Sequence, residues 1–300
     1  MKDLPISPVF YYADEYNVDL GGHVFPAIKF GHIQKRLARD GRFRKHRFVK
    51  PSPVTETQAL YVHSHRYLRD LLALERTPRT HRSELPLTRK ILDGFFLSTG
   101  GTLAAARDAF EVGRAVNIGG GFHHAFREHA EGFCYINDVA VAVRVLQKEK
   151  RIKKALILDL DVHQGNGTAK IFTWDWNVFT CSIHEEKNYP VKQKSSLDVG
   201  LATGLKDEEY LRILAETLEQ VRARFEPEII FYVAGVDIYE KDRLGGLSIS
   251  RKGVLQRDRM VRDFMPGVPL VTVLAGGYAI NDQDTIDLHL GTCEVMAGFQ

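Results

Sequence analysis

Cysteine is scarce and scattered: Cys134, Cys181 and Cys293 are the only three in 300 residues. No Cys-x-x-Cys pair occurs and the count is odd, so neither a disulfide framework nor a thiolate metal site is suggested. Cys134 and Cys181 sit in apolar surroundings and read as small core residues rather than nucleophiles. Excess charge is also lacking. The 41 Lys and Arg against 38 Asp and Glu leave a formal +3, too near neutral to imply direct nucleic-acid binding. Basic clusters at 42–47 and 150–154 read as solvated surface. No apolar run reaches bilayer-spanning length, and Met1-Lys2-Asp3-Leu4-Pro5 has no apolar leader core. A reduced, cytoplasmic setting without membrane contact is therefore expected. Repeats, low-complexity tracts and long linkers are missing too. The remainder is an ordinary globular composition, long enough for one large α/β domain or two smaller ones.

What is present is an alternation of strands and helices. Val9-Phe10-Tyr11-Tyr12 reads as a first strand, followed by strands at 115–118, 155–158, 177–183, 228–235 and 269–274. Helices are predicted over 29–39 (stopped by Gly41), 65–76, and 87–110 with a break at Gly100-Gly101. Further helices are expected from an Asn137 cap to about residue 150, over 207–225, over 251–264 and at the C-terminus. Residues 187–206 read as a long polar loop. This alternation predicts a parallel sheet covered on both faces. Such sheets bind ligands beyond the carboxyl ends of their strands.

The chemistry centres on Asp159-Leu160-Asp161-Val162-His163-Gln164-Gly165-Asn166-Gly167, which leaves the apolar run Ala155-Leu156-Ile157-Leu158. If the chain stays extended, Asp159, Asp161 and His163 share one face. Two carboxylates and an imidazole are costly to desolvate without a cation or partners. A divalent metal is the simplest answer, since oxygen and nitrogen donors suit zinc and its neighbours. A polar turn after a core strand is the plainer alternative. Placement favours the metal: His123-His124, Asp161 with His163, His184, Asp237 with Asp242, and Tyr278 each follow a predicted strand. Asp242 is the chosen third ligand, with Asp237 and Glu240 left as competitors.

His123-His124 follows Gly119-Gly120-Gly121, a run that does not fit G-x-G-x-x-G. One imidazole can take a proton from water while the other orients or polarises. Asp159 can bond one ring and Asn166 the other, which would push their pKa values apart. Tyr278, after Gly276-Gly277, can donate to a developing oxyanion. Phe133 and Tyr189 can wall an apolar slot, although core packing accounts for each taken alone. His32, His46, His63, His65, His81, His129 and His289 lack a partner pattern and read as structural. Together these parts specify metal-assisted amide hydrolysis.

Five segments carry a resemblance covering nearly the whole chain: Gly119-Gly120-Gly121-Phe122-His123-His124, Gly132-Phe133-Cys134-Tyr135, the Asp159 to Gly167 motif, Asp242-Arg243-Leu244-Gly245-Gly246-Leu247-Ser248, and Gly276-Gly277-Tyr278. In this order they resemble the zinc-dependent histone deacetylase family, and look most like its class IV branch in a compact bacterial-type form. The resemblance implies the arginase/deacetylase fold, a three-layer α/β/α sandwich with a central, mostly parallel sheet, here as one catalytic domain over 1–300. It implies a metal on Asp161, His163 and Asp242, with His123 and His124 as catalytic dyad, Asp159 and Asn166 as their partners, and Tyr278 polarising the carbonyl. Gly132, Phe133 and Tyr189 would line an acyl-lysine tunnel. A potassium ion is implied near Asp159, Asp161, His163, Ser182 and Ile183, partly through backbone carbonyls.

There are departures. Asn166 stands where class I members carry aspartate, so the partner of His124 should be uncharged. Gln164 replaces a histidine common in other classes, and the N-terminal histidine–proline region is matched only loosely, by His23-Val24-Phe25-Pro26. The rim from Tyr11 to Gly22 and the choice of substrate are left open. The expected substrate is an acyl-lysine protein, acetylated or carrying a longer fatty acyl group, with acetylpolyamines or other small amides as the alternative. Zinc is the expected metal, although two carboxylates and a histidine would also accept iron(II) or cobalt(II). Two other readings compete. An arginase-like ureohydrolase would use two metals on Asp-x-His-x-Asp, but Gly165 stands at the last position. A silent acyl-lysine binding module would keep the tunnel without the chemistry.

Overall fold

The computed structural model describes residues 8–18 and 20–299. The leader reading at residues 1–5 therefore lies outside the described residues. The strands are β1 (Val9–Tyr11), β2 (Arg47–Val49), β3 (Arg114–Asn117), β4 (Ala155–Asp159), β5 (Val178–Glu185), β6 (Leu197–Leu201), β7 (Ile229–Val233) and β8 (Leu270–Val273). They form one 8-stranded sheet in the order β2-β1-β3-β8-β7-β4-β5-β6. Every neighbouring pair is parallel. The helices are α1 (Lys29–Arg39), α2 (Glu56–Ala59), α3 (His65–Leu72), α4 (Arg89–Val112), α5 (Asp138–Lys148), α6 (Asn166–Phe172), α7 (Asp207–Arg224), α8 (Arg251–Arg262) and α9 (Asp282–Ala297).

Side-chain alternation along the strands divides the interior into two cores. Val9, Ala155, Ile157, Ile229, Phe231, Val233, Val271 and Val273 pack with residues of α4 and α5 on one face. Phe10, Leu156, Leu158, Ile230, Tyr232 and Leu270 pack with residues of α1, α7, α8 and α9 on the other. A sheet apolar on both faces must be covered on both, which makes the three-layer α/β/α sandwich.

Several helix starts are fixed by the cap chemistry visible in the sequence. Ser64, Thr88, Asn137, Ser250 and Asn281 each accept a backbone N–H of the first turn. In α7, Asp207, Glu208 and Glu209 open the helix, and Arg222 and Arg224 close it, matching charge to the helix dipole.

The sequence reading omitted β2 and α2, and four further elements differ from it. The expected break at Gly100-Gly101 is absent and α4 runs through it. The glycines are there because other chain segments press on the helix. A Cβ on Gly100 would meet Ser52 O at 1.9 Å, and one on Gly101 would meet the Tyr16 hydroxyl at 2.2 Å. Helix α3 stops at Leu72 rather than near 76. The polar loop at 187–206 contains β6, an edge strand whose Asp198 and Gly200 are exposed while Leu201 is buried. Its one-sided burial hid it. The end of the Asp159 to Gly167 motif, for which no helix was expected, opens α6 at Asn166 with Gly165 before it. Poor helix formers are tolerated there because Gly167 lies against Ala125, whose carbonyl oxygen would be 2.5 Å from an added Cβ.

Candidate active site

Three crossovers bring the titratable residues to one edge. β3 runs into Gly119-Gly120-Gly121 and then His123-His124, β4 into Asp161 and His163, and β8 into Gly276-Gly277-Tyr278. Asp237 and Asp242 follow β7. The glycine run is clamped by Asp138, whose carboxylate accepts Gly121 N at 3.1 Å, Phe122 N at 2.8 Å and the Thr102 hydroxyl at 2.6 Å. In the sequence Asp138 looks like a first-turn acid of α5. Its carboxylate instead fixes the loop that presents both histidines.

His123 Nδ1 lies 2.7 Å from Asp159 Oδ2, its Nε2 lies 3.1 Å from His124 Nε2, and His124 Nδ1 lies 2.9 Å from Asn166 Oδ1. Asn166 Nδ2 donates to Glu131 Oε1 at 2.7 Å, so its oxygen is the end that faces His124. Consequently His124 Nδ1 carries a proton and Nε2 holds the lone pair. Burial opposes charge on both rings. On His123 the Asp159 and Asp161 carboxylates overcome it and push the ring up to about 9. On His124 burial and the neighbouring His123 charge act together and hold it well below the usual imidazole range. One imidazolium and one neutral imidazole therefore stand side by side.

Asp161, His163 and Asp237 each offer a ligand atom, all within 4.8 Å of one another and all buried. His163 Nδ1 sits 3.1 Å from Asp161 Oδ1 and 3.3 Å from Asp237 Oδ2. Among the described residues, nothing donates a hydrogen bond to the buried Asp237 Oδ2. Burial and the Asp161 charge push the Asp237 carboxyl up to about 7. A buried carboxylate oxygen without a hydrogen bond, its nearest cation the His163 ring, stands with a second carboxylate and an imidazole as a donor set that a divalent cation satisfies. Asp242, the chosen third ligand, is not in that group. Its Oδ1 accepts Leu244 N at 2.8 Å and Gly245 N at 3.1 Å, and its Oδ2 accepts Tyr278 N at 2.6 Å. It borders the cluster electrostatically, being one of the charges that raise Asp237.

Above these groups lies a cavity of about 200 Å³. Gly132, Phe133, Tyr189, His123, His124, Asp161, His163 and Tyr278 all line it. Gly132 takes φ +48°, and a Cβ there would meet His124 Cδ2 at 2.6 Å and the Tyr189 hydroxyl at 2.9 Å, so only glycine leaves the bore open. The Phe133 ring stands 4.7 Å from His23 and 6.1 Å from Tyr278, and the Tyr189 ring 5.3 Å from His124. Burial and the nearby Asp161 and Asp237 charges hold the Tyr278 phenol well above its usual range, so it remains a hydrogen-bond donor.

Of the implied potassium residues, Asp159 is the register partner of Ser182 on β5. Asp159 Oδ1 accepts Asp161 N at 3.2 Å, and Ser182 Oγ lies 2.9 Å from His184 Nδ1.

Besides the role of Asp138, sequence reasoning missed two residues here. Glu131 holds Asn166 and pairs with Arg82 at 2.7 Å. Lys29 is 2% exposed; its Nζ donates to Ala275 O at 2.8 Å and lies over the Phe25, Phe30 and Tyr278 rings. Lys29 looks like an ordinary first residue of an amphipathic helix. Only the tertiary fold reveals that it is swallowed.

The model of the histone deacetylase domain matches residues 23–290. The chain belongs to the histone deacetylase family. It is 39% identical over 286 residues to an uncharacterized protein of Picosynechococcus sp., covering 94% of this chain and 95% of that one. It is 34% identical to histone deacetylase 2 of Arabidopsis thaliana, covering 92% of this chain and 76% of that one. Among solved structures, an HDAC homolog complexed with SAHA superposes with TM-score 0.83 at 26% identity, covering 98% of this chain and 84% of that one. The HDAC homolog from Aquifex aeolicus superposes with TM-score 0.80 at 27% identity, with coverage of 98% and 84%. The fold is thus the arginase/deacetylase sandwich, and the family places this histone deacetylase relative among the deacetylase hydrolases.

Proposed function

We propose that this deacetylase-family protein removes acyl groups from the side-chain amide of lysine, with residues 1–300 acting as one catalytic domain. The observation that carries the reading is the His123–His124 pair, 3.1 Å apart with unlike partners, on the floor of a tunnel that also holds Asp161, His163 and Tyr278. Asp161 and His163 would hold a divalent cation, zinc by the family resemblance. Such a cation supplies Lewis-acid polarisation of a carbonyl and makes water a nucleophile near neutral pH.

The chain's own residues do the rest. His124, neutral with a free Nε2 lone pair, takes the proton of the attacking water. His123, held charged by Asp159, stabilises the negative charge that develops beside it. The Tyr278 hydroxyl donates to the oxyanion. His124 then returns its proton to the leaving amine as the C–N bond breaks, releasing carboxylic acid and free lysine. The mouth formed by Gly132, Phe133 and Tyr189 suits a slender methylene chain. Gln164, Asn166 and the Asp242 to Ser250 run support the class IV assignment, and that resemblance tilts the acyl group toward a long chain. A potassium ion at Asp159, Asp161, His163, Ser182 and Ile183 would be structural.

The third ligand is proposed to be Asp242. The spacing of Asp161, His163 and Asp237 supports Asp237 as a second reading. Zinc titration of Asp242→Asn and Asp237→Asn separates them, because the true ligand loses affinity by the larger factor. The deciding test of function is a single lysine peptide carrying acetyl, octanoyl or myristoyl groups, offered to zinc-reloaded protein. Acid release that stops on chelation and returns with metal is expected. Release only from acetylated polyamines would replace the lysine assignment. Binding of acyl peptide without release would leave the binding-module reading.

A further inference from the structure

The chain has two tryptophans, and neither is in a core. Trp174 is 85% exposed and Trp176 is 89% exposed. Both sit on the turn between α6 and β5, and the turn is rigid. Asp175 between them pairs with Arg144, its Oδ1 accepts Asn177 N at 2.9 Å, and its carbonyl accepts Val178 N at 3.1 Å. The Arg144 guanidinium in turn lies 4.7 Å over the Phe172 ring. Two indoles are thus held out on a fixed base with most of their apolar surface left in water, which is unfavourable.

Beside this turn lies the α5–β4 connector, Lys148-Glu149-Lys150-Arg151-Ile152-Lys153-Lys154. Its acid and its neighbours' acids are already engaged. Glu149 pairs with Arg107, Asp175 with Arg144, and Glu228 Oε2 accepts Lys153 N and Lys154 N at 2.6 and 2.7 Å. Among the described residues, none of Lys148, Lys150, Arg151, Lys153 and Lys154 has an ion-pair partner within 4.0 Å. Glu228 offsets one of these five charges, and Glu149 and Asp175 are matched by Arg107 and Arg144, so the surface keeps a net positive charge beside two protruding indoles.

We propose that this face docks the protein on an anionic lipid bilayer. Tryptophan rings favour the bilayer–water interface, and lysine and arginine are drawn to the negative headgroup layer. The basin among the cations is lined by Arg144, Lys150, Arg151 and Lys153 together with the acids Asp175 and Glu228, and neither tryptophan lines it. Bases of a nucleic-acid strand would need an aromatic platform inside a basic groove, so the outward-facing indoles fit a flat surface better. Among the described residues no helix is long and apolar enough to cross a membrane, and the attachment proposed is peripheral. The turn and the connector precede β5 and β4, whereas the tunnel opens beyond the other ends of these strands. Docking would leave the tunnel mouth facing away from the lipid.

Because the two tryptophans are the only ones, intrinsic fluorescence reports on this turn alone. Phosphatidylcholine vesicles containing about a quarter phosphatidylglycerol should shift the emission to the blue and co-sediment the protein. Lys150→Glu/Lys153→Glu should weaken co-sedimentation by about 10-fold or more, and Trp174→Ala/Trp176→Ala should abolish it while peptide hydrolysis stays at the level of the unsubstituted chain. No shift and no co-sedimentation at low salt would overturn the proposal. So would equal binding to pure phosphatidylcholine, or a response to single-stranded DNA in place of vesicles.

Discussion

At the residue scale, the proposed chemistry turns on single atoms. Tyr278→Phe removes one hydroxyl from a ring that is 7% exposed and leaves its packing intact. The variant should fold and bind zinc but lose at least about 10²-fold in kcat, the scale of removing one oxyanion donor. Near-normal turnover would dismiss the assigned role. Asp159→Asn is read in the pH profile. His123 must stay charged, and its ring, pushed up to about 9, loses that charge as pH rises past this value. Without the Asp159 charge, burial dominates and the pKa falls. The alkaline limb of kcat/KM should therefore move to lower pH, and an unmoved limb would exclude His123 as the charged partner. Asp159 was legible as a ring partner because it ends β4, where strand alternation limits where it can point, and Asn166 only through its place in the same short motif, since it lies in α6. Glu131 and Lys29 were not legible: each reaches the site from a distant loop or helix, and no local period encodes that approach.

At the scale of the element, α4 and the start of α5 carry the sharpest tests. Alanine is a better helix former than glycine by about 1 kcal/mol, so propensity alone favours Gly100→Ala. The Ser52 carbonyl 1.9 Å from the new Cβ belongs to backbone that cannot swing aside. Overpacking should win, with a net loss of roughly 1–3 kcal/mol in denaturant unfolding; a stabilised variant would contradict the tight crossing. This is also why the predicted break failed, since glycine marks a helix interior weakly and a close crossing equally well. At the head of α5, His63 is 1% exposed. Its ring Nδ1 lies 2.9 Å from Phe126 O, and its Nε2 accepts Asn137 N at 3.1 Å. Burial holds this imidazole at about 4, against an ordinary value of 6.5. The folded pKa is depressed, so the unfolded chain binds the proton more readily. The stability is present above about 6.5 and is lost as pH falls toward about 4, roughly 3 kcal/mol in all. His63→Gln should be less stable at pH 8 yet lose less between those limits, as urea titrations at several pH values would show.

At the scale of the whole molecule, the sheet separates two kinds of surface. Strand and helix alternation, and with it the layered sandwich, could be read from hydrophobic runs and turn residues because each buried strand is apolar on both faces. The edge strands were harder: Arg47–Val49 has an exposed or half-buried pattern, and β6 meets the core on one side only. The carboxyl ends gather Asp159, Asp161, Asp237 and Asp242, four acids of which the first three are at most 3% exposed. Inside the fold they are answered by His123, His163 and Lys29; burial lowers the Lys29 ammonium to about 8 although Asp237, Asp161 and Asp242 oppose the shift. Among the described residues Asp237 Oδ2 still has no hydrogen-bond partner. A divalent cation binding only the folded chain should therefore stabilise the whole molecule. At a free concentration about 100 times Kd the gain is about 2.7 kcal/mol, which for a chain of this size raises Tm by about 5 °C. Zinc competes with protons for His163 and the carboxylates, so the rise should shrink as pH falls. Asp161→Asn should remove most of it, whereas Asn substitution at Glu131, which touches no proposed ligand, should leave it. Melting curves with chelator and with zinc decide the matter: a Tm unchanged by metal would mean that the buried acids are balanced by protons and by Lys29, and the hydrolytic mechanism would lose its cation.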